Sequence, residues 1–193
     1  MVLPMPSTRI HRKAWDNDWA VHCLTFSTFR RQPFFPGTQA ADCFLHALAD
    51  ARQACPFHLF AYVIMPEHVH VVLQAFPGVA MRTILWRLKR PVTSAALDWV
   101  AQRRPDFLAR MADLQPSGKV AHRFWQRGGG YDRNLRTPSD VHEKIGYVHD
   151  NPVRRGLVKC AEDWPYSSAA DWILRRSGPV PIDWAHLPEP ELR

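Results

Sequence analysis

Two apolar runs with almost nothing between them constrain this chain most. Phe57 to Met65 reads FHLFAYVIM and His68 to Phe76 reads HVHVVLQAF, with only Pro66 and Glu67 separating them. Runs rich in Val, Ile, Phe and Tyr around a two-residue break form a β-hairpin. Side chains two apart on a strand share a face, so Val69, Val71 and Leu73 go into the core together. His68 and His70 then project from the opposite face, about 6–7 Å apart at Cα.

The rest of the chain is arranged around that hairpin. From Trp19, WAVHCLTFSTFR alternates and reads as a strand, which the stretch from Gln32 to Gly37 breaks. Phe44, Leu45, Leu48 and Ala51 recur at helical spacing, and so do Met81, Ile84, Leu85 and Leu88 in a second helix from Val79 to about Arg104. Pro91 is expected to kink or split that helix. Pro105 to Gly118 resembles an insertion, and VAHRFWQ (Val120–Gln126) is the candidate last strand, with Gly128, Gly129 and Gly130 as its flexible exit. Thr137-Pro138-Ser139-Asp140 is a capped helix start. The helix it opens carries Val141, Ile145 and Val148 on its docking stripe and ends at the Asn151-Pro152 boundary. The order strand, helix, hairpin, helix, strand, helix predicts an α+β sandwich, with helices on one face of a mostly antiparallel sheet. The expected division is a basic, flexible arm over residues 1–18, one domain over 19–175, and a tail over 176–193.

Composition narrows the possible partners. The 193 residues suit one domain, and 25 Lys plus Arg against 18 Asp plus Glu give a net charge of +7. A basic domain of this kind favours an anionic partner, most often nucleic acid. Apolar residues at 46% and charged residues at 22% exclude intrinsic disorder. No stretch approaches the ~18 apolar residues of a membrane span. The amino end, MVLPMPSTRIHRKAWDND, has no apolar leader, which predicts a cytoplasmic, nucleoid-associated protein. Cys23, Cys43, Cys55 and Cys160 are too scattered for a zinc or disulfide framework and read as reduced small hydrophobes.

Two places carry candidate chemistry. A divalent ion could bridge His68 and His70, or both rings could be ordinary surface histidines. Tyr147 and Asn151 are four apart, so they share one face of the last helix with Lys144 one turn earlier. Each has a bland reading too, Tyr147 as packing and Asn151 as a C-cap. Taken together, the four residues form a constellation with a job. A metal acts as Lewis acid on a scissile phosphate, and a phenolate attacks phosphorus to leave a 5′-phosphotyrosine and a free 3′-hydroxyl. A phenol must first lose its proton, which a cation such as Lys144 assists.

The ordered motifs MPEHVHVVL, FWQRGGGYDRNLRTPSD, YVHDNPVRRGLV and DWPYSS resemble the REP-associated tyrosine transposases, within the HUH single-tyrosine transposase superfamily. The resemblance spans about Trp19 to Trp172 and implies a ferredoxin-like HUH endonuclease core. It implies a metal pair at His68 and His70, Asn151 as third ligand, Mg²⁺ or Mn²⁺ as cofactor, Tyr147 as nucleophile, and His149 as a support. Its implied substrates are single-stranded or hairpin DNA from repetitive extragenic palindromes, cut by a monomer or homodimer. Candidate phosphate contacts are Arg82, Arg87, Lys89, Arg90, Arg123, Arg127, Arg133, Arg136, Arg154 and Arg155, with Lys159 and the arm residues Arg9, Arg12 and Lys13 beyond them. Trp125 and Trp164 are either base-stacking platforms or core. Glu67 stands where many relatives have Asn, a turn position expected to tolerate the change. Tyr131, beside the glycine triplet, is the alternative nucleophile, but its i+4 residue is Leu135 rather than an amide. Two further readings remain: a hairpin-binding protein without catalysis, and a phosphodiesterase using metal-activated water.

Overall fold

The computed structural model describes residues 20–35 and 38–189, with the side chain of Thr38 excepted. The expected arm, with Arg9, Arg12 and Lys13, lies outside the described residues, as does Trp19. Strand β1 (Val21–Ser27) is followed by helix α1 (Thr38–Ala54), the hairpin β2 (Phe57–Met65) and β3 (His68–Ala75), and helix α2 (Met81–Arg103). A short helix α3 (Leu108–Met111) leads into a two-stranded ribbon, β4 (Ala112–Leu114) with β5 (Val120–His122). Strand β6 (Tyr131–Leu135) follows, then α4 (Pro138–His149), α5 (Asn151–Arg154) and α6 (Ala169–Leu174).

The main sheet has the order β2-β3-β1-β6, antiparallel throughout. With α1 and α2 as the crossovers, this is the βαββαβ ferredoxin-like arrangement. The order makes β3 an interior strand between β2 and β1. His70 pairs with Thr25 on one side and Val63 on the other.

Helices cover both faces of the sheet, which corrects the expectation of a one-sided sandwich. Leu24, Phe26, Val69, Val71 and Leu73 face α1 and α2 in the larger core. Val21, Cys23, Ala61, Val63 and Val72 face Val141, Ile145 and Val148 of α4 in a smaller one. The sign of this was in β2, where every position except His58 is buried. A strand buried on both faces loses the polar alternation of a half-solvated one.

Two other expectations need correction. Pro91 neither ends nor splits α2, which runs unbroken through it. Leu88 and Val92 on either side are fully buried, and that packing outweighs the lost backbone hydrogen bond. The last strand of the main sheet is Tyr131–Leu135 rather than Val120–Gln126. Residues 120–122 pair with β4 instead, and Phe124 and Trp125 plug the larger core.

Helix α4 begins as its sequence implies. Thr137 Oγ1 accepts from the Asp140 backbone N–H at 3.1 Å, while the Asp140 carboxylate accepts from the Arg136 N–H at 3.2 Å. These partners satisfy backbone donors that a helix start leaves open. Burial of Val141, Ile145 and Val148 contributes about 1.5–3 kcal/mol each and seats the helix on the sheet.

Candidate active site

The pleat of β3 turns His68 and His70 toward the α4 side. Their ring centroids are 4.8 Å apart and nearly perpendicular, and both residues are buried. Each ring is held at Nδ1 by an oxygen. Thr25 Oγ1 lies 2.7 Å from His70 Nδ1, and Glu67 Oε1 lies 3.2 Å from His68 Nδ1. Arg155 donates to the same Glu67 oxygen at 2.6 Å. When Nδ1–H donates to its oxygen, Nε2 carries the lone pair, the arrangement that orients a metal-ligating imidazole.

Electrostatics favour the neutral, ligating form of both rings. Burial pushes His70 down to about 3, with His68, Lys144 and Arg154 adding to the effect. Burial also lowers His68, against the opposing pull of Glu67. Glu67 would itself be raised by burial, but hydrogen bonds and charge from Arg155 and His68 hold it below the usual carboxylate range.

Tyr147 stands opposite the pair on α4. Its ring centroid is 6.0 Å from that of His70, and the residue is 39% exposed. Lys144 Nζ lies 4.3 Å, and the Arg154 guanidinium carbon 4.6 Å, from its ring centroid. Asn151 is buried at the start of α5, where its Nδ2 donates to the carbonyls of Tyr147 (2.8 Å) and Val148 (3.3 Å). With the amide nitrogen so engaged, Oδ1 is the atom left to meet a cation. The Arg155–Glu67 ion pair ties the end of α5 to the turn that carries His68. His149 turns the other way, its Nε2 2.9 Å from the buried Ser168 hydroxyl. Burial there pushes it down to about 4.

These donors suit a divalent ion: two oriented neutral imidazoles and an anchored amide. Among the described residues, no three or more His, Cys, Asp and Glu side chains are grouped to hold a metal. An ion at this pair therefore needs an oxygen of another kind.

No family model matches the chain. A REP-associated tyrosine transposase of Escherichia coli K12 is 29% identical over 141 residues, covering 72% of this chain and 70% of the relative. A Haemophilus influenzae protein named for the same family is 26% identical over 148 residues, covering 74% and 76%. Among solved structures, a REP-associated tyrosine transposase bound to a REP hairpin superposes with a TM-score of 0.61 at 22% identity, covering 90% of this chain and 93% of the other. The chain is similar in sequence to proteins named REP-associated tyrosine transposases. The solved transposase shares its fold.

Against that transposase fold, the basic residues divide by what they touch. Arg133, Arg136 and Arg154 are exposed near the α4 face. Arg82 and Arg90 are exposed on α2. Arg123 and Arg127, two of the expected phosphate contacts, are ion-paired with Asp113 of the β4–β5 ribbon. Lys89 is also committed, donating to the Gly128 carbonyl at 3.0 Å, and burial lowers it to about 8. Arg87 is half-buried, with an Nε that finds no partner among the described residues. Arg155 serves Glu67, as described. Trp125 and Trp164 are packing residues, their indole N–H groups donating to the carbonyls of Lys89 and Ile64.

Tyr131 opens β6 rather than sitting in a glycine loop. Its register with Thr25 puts it on the His70 side of the sheet. Two strand spacings separate it from His70, roughly 10 Å at Cα.

Sequence reasoning missed three contributors. Thr25 orients His70, and only strand register reveals it. Glu67, expected from the sequence to be a tolerant turn residue, is buried and bonded to His68; a carboxylate next to the His pair is the available signal. Arg30 and Arg31 have φ of +55° and +52°, strained values that cost about 1–3 kcal/mol each in non-glycine residues. Arg31 is close enough to His68 to lower its proton affinity.

Proposed function

We propose that the protein is a metal-dependent single-stranded DNA endonuclease and strand transferase, acting on hairpin or palindromic DNA through a 5′-phosphotyrosine on Tyr147. The observation that carries this reading is the exposed Tyr147 ring, 6.0 Å from a buried His70 and flanked by Lys144 and Arg154. Relatives named as tyrosine transposases, and a solved relative bound to a REP hairpin, support the reaction class and the substrate class.

Each residue then has a definite task. Arg154 and Lys144 draw the backbone phosphate to the tyrosine and offset its negative charge. The Tyr147 oxygen, having lost its proton to solvent, bonds to phosphorus. The bond from phosphorus to the 3′ oxygen breaks, and that oxygen takes up a proton as a 3′-hydroxyl. Strand transfer is the reverse step with a different 3′-hydroxyl. His68, His70 and Asn151 would hold Mg²⁺ or Mn²⁺, which when bound would supply Lewis acidity toward the phosphate. Thr25 and Glu67 fix the two imidazoles, and the carbonyls of Tyr147 and Val148 at the end of α4 hold the Asn151 amide.

The test uses a labelled DNA hairpin with single-stranded flanks, incubated with Mg²⁺, with Mn²⁺, or with chelator. Wild type is expected to cleave only with metal, and His68→Ala and Tyr147→Phe to cleave not at all, while Tyr131→Phe keeps activity. Cleavage that survives Tyr147→Phe would instead assign the attack to water. Metal-independent binding without cleavage would make the protein a hairpin binder.

A further inference from the structure

One groove has no task in the mechanism above. It lies between the exposed side of α2 and the glycine loop, holds about 550 Å³, and is lined by Arg82, Trp86, Lys89, Arg90, Gly128 and Gly129 among others. Among the described residues, no acidic one lines it. Arg82, Trp86 and Arg90 are spaced four apart and so form one row along the helix. Trp86 is 54% exposed, and the Arg90 guanidinium sits 5.2 Å from its ring centroid.

The floor of this groove is built rather than incidental. Lys89 Nζ clamps the Gly128 carbonyl at 3.0 Å and rests over the rings of Phe26 (5.4 Å) and Trp125 (5.7 Å). Trp125 Nε1 in turn donates to the Lys89 carbonyl at 3.0 Å. Gly128 and Gly130 have φ of +91° and +90°, where an L side chain is strained. Gly128 and Gly129, which line the groove together with Trp86, contribute no side chain to it.

The loop also connects the groove to the candidate active site. Gly130 packs so closely on β1 that a Cβ there would run into the Thr25 carbonyl oxygen. The next residue, Tyr131, pairs with Thr25, whose hydroxyl holds His70. From Tyr131 back to Gly129 is two residues, at most ~7 Å of chain.

We propose that this groove is a single-strand DNA subsite, in which an unpaired base stacks on Trp86 while Arg82 and Arg90 hold the adjoining phosphates. The inference rests on the hairpin-nuclease reading and adds to it where the unpaired flank of the substrate runs. An aromatic face between cations, with no acid in its described lining, complements a polyanion whose every base offers a π face. Stacking of this kind is tolerant of sequence, so the groove holds the flank without choosing it.

The test is the affinity of a labelled hairpin with single-stranded extensions at both ends, set against the same hairpin with a blunt end. Trp86→Ala is expected to weaken binding of the extended hairpin about tenfold and leave the blunt one unchanged. Trp86→Phe should restore most of the loss. Replacing Arg82 or Arg90 with Gln should lower the salt dependence of the extended hairpin's binding by about one counterion each. Unchanged binding of the extended hairpin by Trp86→Ala overturns the subsite and leaves the nuclease reading standing. Equal losses on both hairpins overturn the single-strand assignment in favour of duplex contact. Wild type that binds neither hairpin overturns the nuclease reading and the subsite with it.

Discussion

The two faces of the four-stranded sheet are built from the same strands but differ in what they bury. Toward α1 and α2, β3 presents Val69, Val71 and Leu73 to a core rich in aromatic residues. Toward α4 it presents His68 and His70 before reaching Val72. The first face holds the fold together. The second uses a smaller apolar patch to seat α4 and spends the remaining positions on polar side chains fixed by Thr25, Glu67 and Arg155. Alternation along a strand thus separates stability from chemistry by a single residue. Substitutions on neighbouring positions should therefore have different consequences.

The sharpest break in that comparison is at the α4 face. Tyr147→Phe should lower cleavage of a hairpin substrate more than about a thousandfold. It removes one hydroxyl from a partly exposed ring, so its melting temperature should match wild type in the same calorimetric run. The reverse pattern belongs to the other face. Leu73→Ala empties a fully buried site and should cost about 2–5 kcal/mol in denaturant unfolding. Where that protein remains folded, its metal affinity should stay near wild type, because His68 and His70 keep their oxygen partners.

Glu67→Gln probes the shell that fixes the His pair. Losing the carboxylate removes a charged partner from both His68 and Arg155, and Mn²⁺ affinity by calorimetry should fall about ten- to a hundredfold. Excess metal should then recover cleavage, which a folding defect would not allow. The smallest effect is expected at the start of α4. Thr137→Ala removes the cap on Asp140 and should lower stability by about 1 kcal/mol, leaving the chemistry intact.

Much of this division is legible in the sequence. The apolar alternation of HVHVVL separates core from site, and the Thr-Pro-Ser-Asp cap marks the start of the helix that faces it, although Asn151 opens α5 rather than sharing α4 with Tyr147. What escapes notice does so for physical reasons. Strand β6, YDRNL, is an edge strand that buries only Leu135, so its polar sequence lacks the usual strand signature. The more apolar VAHRFWQ attracts attention because its aromatic residues fill the core from a loop. Helices on both faces could be inferred only from the apolar run of β2, which His58 alone interrupts. Thr25 and Glu67 lie 45 and 3 positions from His70, and only the sheet register and the turn bring both to the ring pair.

The central claim is that the Tyr147 oxygen becomes bonded to DNA phosphorus. It is tested most directly by trapping the wild-type reaction with hairpin DNA and Mn²⁺ under denaturing conditions. The adduct is then trimmed with nuclease and its tryptic peptides are sequenced by mass spectrometry. A nucleotide 5′-phosphate on Tyr147, with Tyr131 unmodified, is the expected result. Cleaved DNA with no modified peptide, or the nucleotide on Tyr131, would contradict it.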